Sequence, residues 1–143
     1  MNKLGFGKAM VSVVVAAGLL TGVAPAMAMD MNGKWVAAST TAMSITGDIE
    51  VSADKIVFET GASLGLKPVE GEAHLFTLAS ATDNPVLLNG NTLCGSNAPP
   101  EYIAFAMYET SMILLAFDGP DVPKLNPDPL DQDGICASFT YER

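Results

Sequence analysis

The sequence predicts an all-β fold, a small antiparallel barrel or sandwich of seven to eight strands behind a cleaved signal peptide. Three observations carry that prediction. Short segments alternate apolar and polar residues, turn-forming residues recur at intervals of about ten positions, and no stretch sustains a helical period.

Residues 1–28 read as an export address. Lys3 and Lys8 precede an apolar run from Ala9 to Ala24, Pro25 breaks it, and Ala26-Met27-Ala28 puts small residues just before a cut. Basic start, apolar middle and small-residue site together describe a secretory signal peptide. The run falls short of the roughly 20 residues a membrane-spanning helix needs. Cleavage after Ala28 is therefore expected, leaving residues 29–143 as a single all-β domain in the periplasm. No cysteine near the cut offers a lipid anchor, and no arginine pair precedes the run, which points to general secretion.

The elements of that domain follow in order. Met29-Asp30-Met31 sets two thioethers at the expected new terminus, too few soft ligands for copper without a histidine, and a frayed end is expected there. Trp35 and its neighbours begin the first strand and plug one end of the core. In "MSITGDIEV" Met43, Ile45, Ile49 and Val51 share one parity while Ser44, Thr46, Asp48 and Glu50 share the other, so residues 43–51 read as a strand with one wet face. Gly47 in its middle suggests a bulge or sharp bend, as where a barrel turns a corner. "SADK" turns the chain into "KIVFET", with Ile56 and Phe58 inward. Gly61, Gly65 and Gly71 punctuate the next short segments, including "LGLKPV", and "AHLFTLA" (73–79) reads as another strand. Asn84-Pro85 and Asn89-Gly90 are turn signals, the second a favoured hairpin dipeptide.

Two nearly continuous apolar runs follow, "YIAFAMY" (102–108) and "MILLAF" (112–117), which suit central strands joined as a hairpin. Such a hairpin is apolar on both faces. One face fills the core, and the other needs a cover, a ligand or a partner; Tyr102, Met107, Tyr108 and Met112 are candidates for lining a cavity or an interface as well as for plain packing. The last strand, "ICASFTYE", sends Ile135, Ala137, Phe139 and Tyr141 inward by parity, which puts Cys136 on the outside of the sheet. Cys94 and Cys136 are the only cysteines, and in an oxidising compartment an even count predicts a disulfide.

Charge sets the choice of partner. The chain carries 16 acids against seven bases, a net −9, and loss of Lys3 and Lys8 takes it to −11. So acidic a domain repels nucleic acid and anionic lipid and attracts cations. Five aspartates, Asp118, Asp121, Asp128, Asp131 and Asp133, crowd one irregular connection that also holds Pro120, Pro123, Pro127 and Pro129. Prolines stiffen such a loop and exclude regular pairing, and a loop this long is commonly functional or disordered. Within "NPDPLDQDGIC" the spacing fails the helix–loop–helix calcium pattern. With Gly134 at its glycine position, Pro129 and Thr140 fall where the first and last ligands belong. A looser calcium site on Asp128, Asp131 and Asp133 stays open beside a solvated acidic surface, the preferred reading.

No cofactor, metal site or catalytic constellation is expected. His74 is the sole histidine, with Glu70 and Glu72 on its strand parity, and no nucleophile elbow or phosphate-binding glycine loop accompanies it. The sequence thus reads as a non-enzymatic periplasmic binding module whose acidic loop meets a cationic protein, with a small β-barrel carrier of an apolar ligand as the alternative. In its export pattern at Ala26–Ala28, its cysteines Cys94 and Cys136 and its strand spacing, the chain resembles the small periplasmic lysozyme-inhibitor proteins. Those are exported β-barrels of about this size with cysteine clamps. The resemblance implies inhibition of a lysozyme-type cell-wall hydrolase or a role in envelope integrity; it carries over no functional residue.

Overall fold

Alternation along each strand decides which side chains share a face. In the computed structural model, which describes residues 30–143, those faces roll into a closed barrel. The expected signal peptide over residues 1–28, its cleavage site and Met29 lie outside the described residues. Eight strands follow one another around the wall: β1 (Gly33–Ala37), β2 (Ile49–Ser52), β3 (Lys55–Phe58), β4 (Ser63–Pro68), β5 (Leu75–Leu78), β6 (Tyr102–Met107), β7 (Ser111–Phe117) and β8 (Ile135–Glu142). Each pairs antiparallel with the next, and β1 meets β8 through Val36 opposite Glu142 and Ala37 opposite Tyr141, which completes the ring. The expected all-β class is met in its barrel form.

Because strand directions alternate, the connections 38–48, 59–62, 79–101 and 118–134 leave from one end. The turns 53–54, 69–74 and 108–110 lie at the other, together with Asp30 and Arg143. One contiguous cluster fills the inside, with Trp35, Ile56, Leu64, Ile103, Leu114 and Phe139 each at most 2 % exposed. Phe76 and Phe105 meet edge to face, their centroids 5.7 Å apart. Each large side chain so withdrawn from water contributes roughly 1.5–3 kcal/mol.

Polar groups within that core are paired. The Tyr141 hydroxyl lies 2.5 Å from Thr46 Oγ1, both side chains being fully enclosed. Burial pushes the Tyr141 phenol well above its ordinary value, and the Thr46 bond offsets only part of that rise. Trp35 does plug one end, and its indole N–H donates to the Met31 carbonyl at 2.8 Å. The Arg143 guanidinium sits 4.0 Å over the same indole ring and donates to the carbonyls of Asn32 and Asp30. The expected fraying of Asp30 and Met31 is therefore corrected: the last residue of the chain holds them down.

Three further expectations change. Residues 43–51 do not form one strand; Ala42–Thr46 make a single helical turn and only Ile49–Ser52 join the sheet. Hydroxyls compete for the backbone here, the Ser39 Oγ accepting from the Ala42 N–H at 3.1 Å and Thr46 Oγ1 facing the Ala42 carbonyl at 3.2 Å. Gly47 then turns the chain at φ +65°, where a Cβ would lie 2.3 Å from the Glu59 carboxylate. Asn89 and Gly90 do make a tight turn with positive φ at both, but inside the 79–101 connection and not between paired strands.

The third change concerns Cys136. The β7–β8 register slips between Ala116 and Phe117, which oppose Ala137 and Ile135, so Cys136 is the extra residue of a bulge. The bulge turns Ile135 outward and brings Cys136 against the core cluster, opposite to strict parity. Its disulfide with Cys94, Cα–Cα 5.2 Å, ties the long β5–β6 connection to the head of β8.

Two outcomes follow. Replacing both cysteines by alanine opens a cross-link between residues 42 apart, which lowers stability to urea by roughly 4 kcal/mol on the loop-entropy relation. The unfolded chain ionises its phenols near pH 10, while folded Tyr141 stays protonated. Its contribution is therefore whole below about pH 10 and is lost as pH rises beyond it. Thermal melts between about pH 8 and pH 11 show a shallower alkaline decline in Tyr141→Phe, which costs about 1 kcal/mol at neutral pH.

Candidate functional site

The second apolar face of the β6–β7 hairpin is where the sequence left a question, and the chain itself supplies the cover. Ala104 of β6, Leu115 and Phe117 of β7 and Leu75 of β5 form a separate buried cluster on the outside of the barrel. Leu125, from the middle of the 118–134 connection, packs on it with Val69, Tyr102, Ile113 and Ile135. The connection is thus a strap laid back along the wall.

Local chemistry fixes its path. The Asp118 N–H donates to the Gly134 carbonyl at 3.1 Å and closes the base. Gln132 bridges the two limbs: its Oε1 accepts from the Lys124 N–H at 2.8 Å, and its Nε2 donates to the carbonyls of Lys124 and Pro129, each at 2.7 Å. At the far tip the Asp128 carboxylate accepts from the Leu130 N–H at 3.0 Å. Pro123 is buried, and the Asn126–Pro127 bond is cis.

Stiffened in this way, the strap turns its charge outward. Asp118, Asp121, Asp128, Asp131 and Asp133 are all exposed. They do not converge: Asp121 and Asp133 border a shallow depression of about 200 Å³ with Gly119 and Gly134 at the base, whereas Asp128 stands at the tip. Among the described residues no three His, Cys, Asp or Glu side chains gather closely enough to hold a metal ion. Two apolar side chains stand exposed among the carboxylates, Val122 at 57 % and Leu130 at 41 %.

Beside the tip lies a groove of about 520 Å³. Leu125–Pro129 form one wall, Glu72, Ala73 and His74 another, and the end of β6 with Tyr108 the floor. The structure here gathers residues that the sequence offered separately: His74, Met107, Tyr108 and Asp128. Glu70, Glu72 and His74 share no strand, because residues 70–74 belong to the β4–β5 turn, and of the two glutamates only Glu72 lines the groove. Met112 is core, and Tyr102 packs in the outer cluster. Nothing in the sequence singled out Leu125, because Val122 and Leu130 are apolar residues of the same acidic, proline-rich run and stay exposed.

The class these features define is a small up-and-down β-barrel, filled by its own side chains and bearing one acidic strap on its outer wall. No family model, curated protein or solved structure matches the chain.

Leu125 anchors the strap, so Leu125→Ser frees it. Amide hydrogen exchange across 118–134 rises at least tenfold, a local opening made easier by about 1.4 kcal/mol, while β1–β4 amides keep their protection. Unchanged exchange in the strap would show that Gln132 and the prolines hold it alone.

Proposed function

We propose that this protein is a non-enzymatic binding module of the periplasm that captures a cationic protein, with a lysozyme-type cell-wall hydrolase as the partner class. One observation carries the reading: five exposed aspartates with Val122 and Leu130 among them sit on a strap pinned to a rigid barrel. A pinned loop loses little conformational entropy on binding, so more of the contact energy appears as affinity. Carboxylates around apolar anchors steer a basic partner into encounter and then let it bury surface. The disulfide supports an oxidising compartment. A role in envelope integrity belongs to the same reading, as the consequence of restraining a wall hydrolase.

The carrier alternative draws less support. Trp35, Phe58, Phe105 and Phe139 occupy the inside of the barrel, so an apolar ligand would have to displace close-packed side chains.

Capture of a basic lysozyme by the immobilised protein tests the proposal. Binding is expected at ~0.1 M salt and falls sharply at ~1 M, where the Debye length shrinks from about 10 to about 3 Å. Substituting all five strap aspartates by asparagine reduces association about tenfold or more, chiefly through the on-rate, with the melting temperature little changed. Equal binding by that variant, or none by the native protein, overturns the reading.

A further inference from the structure

The groove is also a break in the sheet. β5 ends its pairing with β6 early: Leu75 opposes Ala104, Phe76 opposes Ile103, and one more bond runs from the Phe105 N–H to the His74 carbonyl at 3.0 Å. On its other edge β6 stays paired with β7 through Met107 opposite Met112. The Tyr108 N–H donates to the Ser111 carbonyl at 2.9 Å, so even-numbered backbone groups at this end of β6 face β7 and odd-numbered ones face the β5 side. The N–H and C=O of Met107 therefore point into the groove.

Nothing among the described residues meets them. By register the partner would be Glu72, but its N–H donates to the Val69 carbonyl at 3.1 Å and the chain has already turned toward β4. The strap forms the groove's outer wall and makes no backbone bond to Met107; Pro127 and Pro129 within it have no N–H to give. A half-buried strand edge with unused donors and acceptors is what peptide-binding sheets present to an added strand.

We propose that this notch receives an extended segment of the cationic partner, which pairs with Met107 as a short added strand. The proposal rests on the reading above that the partner is cationic, and names how it is held. Side chains of an added strand alternate as those of β6 do. The residue opposite Met107 lies over the inward face and is small and apolar. Its two neighbours emerge on the face of Ala106 and Tyr108, where Glu72 and Asp128 border the groove, and they are lysine or arginine. The preferred segment is thus cation, small apolar residue, cation.

The test uses the whole protein and a capped Gly-Lys-Val-Lys-Gly peptide, titrated to about 10 mM so that a Kd near 1 mM is visible. The Met107 amide resonance is expected to shift and its hydrogen exchange to slow. N-methylation of the valine nitrogen, which removes a donor and blocks pairing without touching the protein, weakens binding about tenfold. Glu72→Gln with Asp128→Asn weakens it similarly, with the Met107 pairing still seen at saturation. Equal affinity of the N-methylated peptide, or a Met107 amide that does not respond to the peptide, overturns the inference. If a basic lysozyme is still captured in that event, only the strand addition falls. If capture is lost too, the cationic-partner reading falls with it.

Discussion

Ala104, Leu115 and Phe117 face away from the barrel axis and yet are almost wholly removed from water. A hairpin with apolar residues on both faces leaves a large patch exposed unless something covers it, at a cost of roughly 1.5–3 kcal/mol for each large side chain left wet. Leu125 provides that cover, and it does so from a segment that is otherwise acidic and rich in proline. The position of every strap carboxylate follows from this contact. So does the groove, since its outer wall is the strap held in place by Leu125.

Closure of the sheet imposes a second requirement, that polar groups trapped by the ring find partners. Thr46 and Tyr141 satisfy each other near the end crossed by the helical turn at Ala42–Thr46. At the opposite end the Trp35 indole and Arg143 bind the backbone of residues 30–32, so the first and last described residues seal the barrel together. The disulfide lies at the end from which the long connections leave. It joins a connection of the β5–β6 side to β8, two strands further round the wall.

Against this regular frame the irregularities define the surface with chemical potential. β5 is four residues long beside a six-residue β6, and the mismatch leaves Met107 without a backbone neighbour on one side. The same mismatch lets the turn bearing Glu72 and His74 stand clear of the strand and form a wall. Rigid strands supply the floor, and a pinned strap supplies charge. Little has to be ordered when a partner arrives.

What the sequence by itself determined is what alternation and composition encode locally. Parity alone puts Ile56 and Phe58, Phe139 and Tyr141 on the inside, and they are there, because the two-residue repeat is a property of the extended chain. The pairing of Cys94 with Cys136 and the hairpin of β6 and β7 were legible for similar reasons. Tertiary structure decided the rest. Parity failed at Cys136, where a bulge against Ala116 and Phe117 turns it toward the core, and between Met43 and Thr46, where hydroxyls took over backbone bonding. That Leu125 covers the hairpin, and that the pairing beside β6 stops at His74, two residues short of the position opposite Met107, depend on elements dozens of residues apart meeting at fixed lengths. Local periodicity carries no record of such meetings; the geometry of the closed ring does.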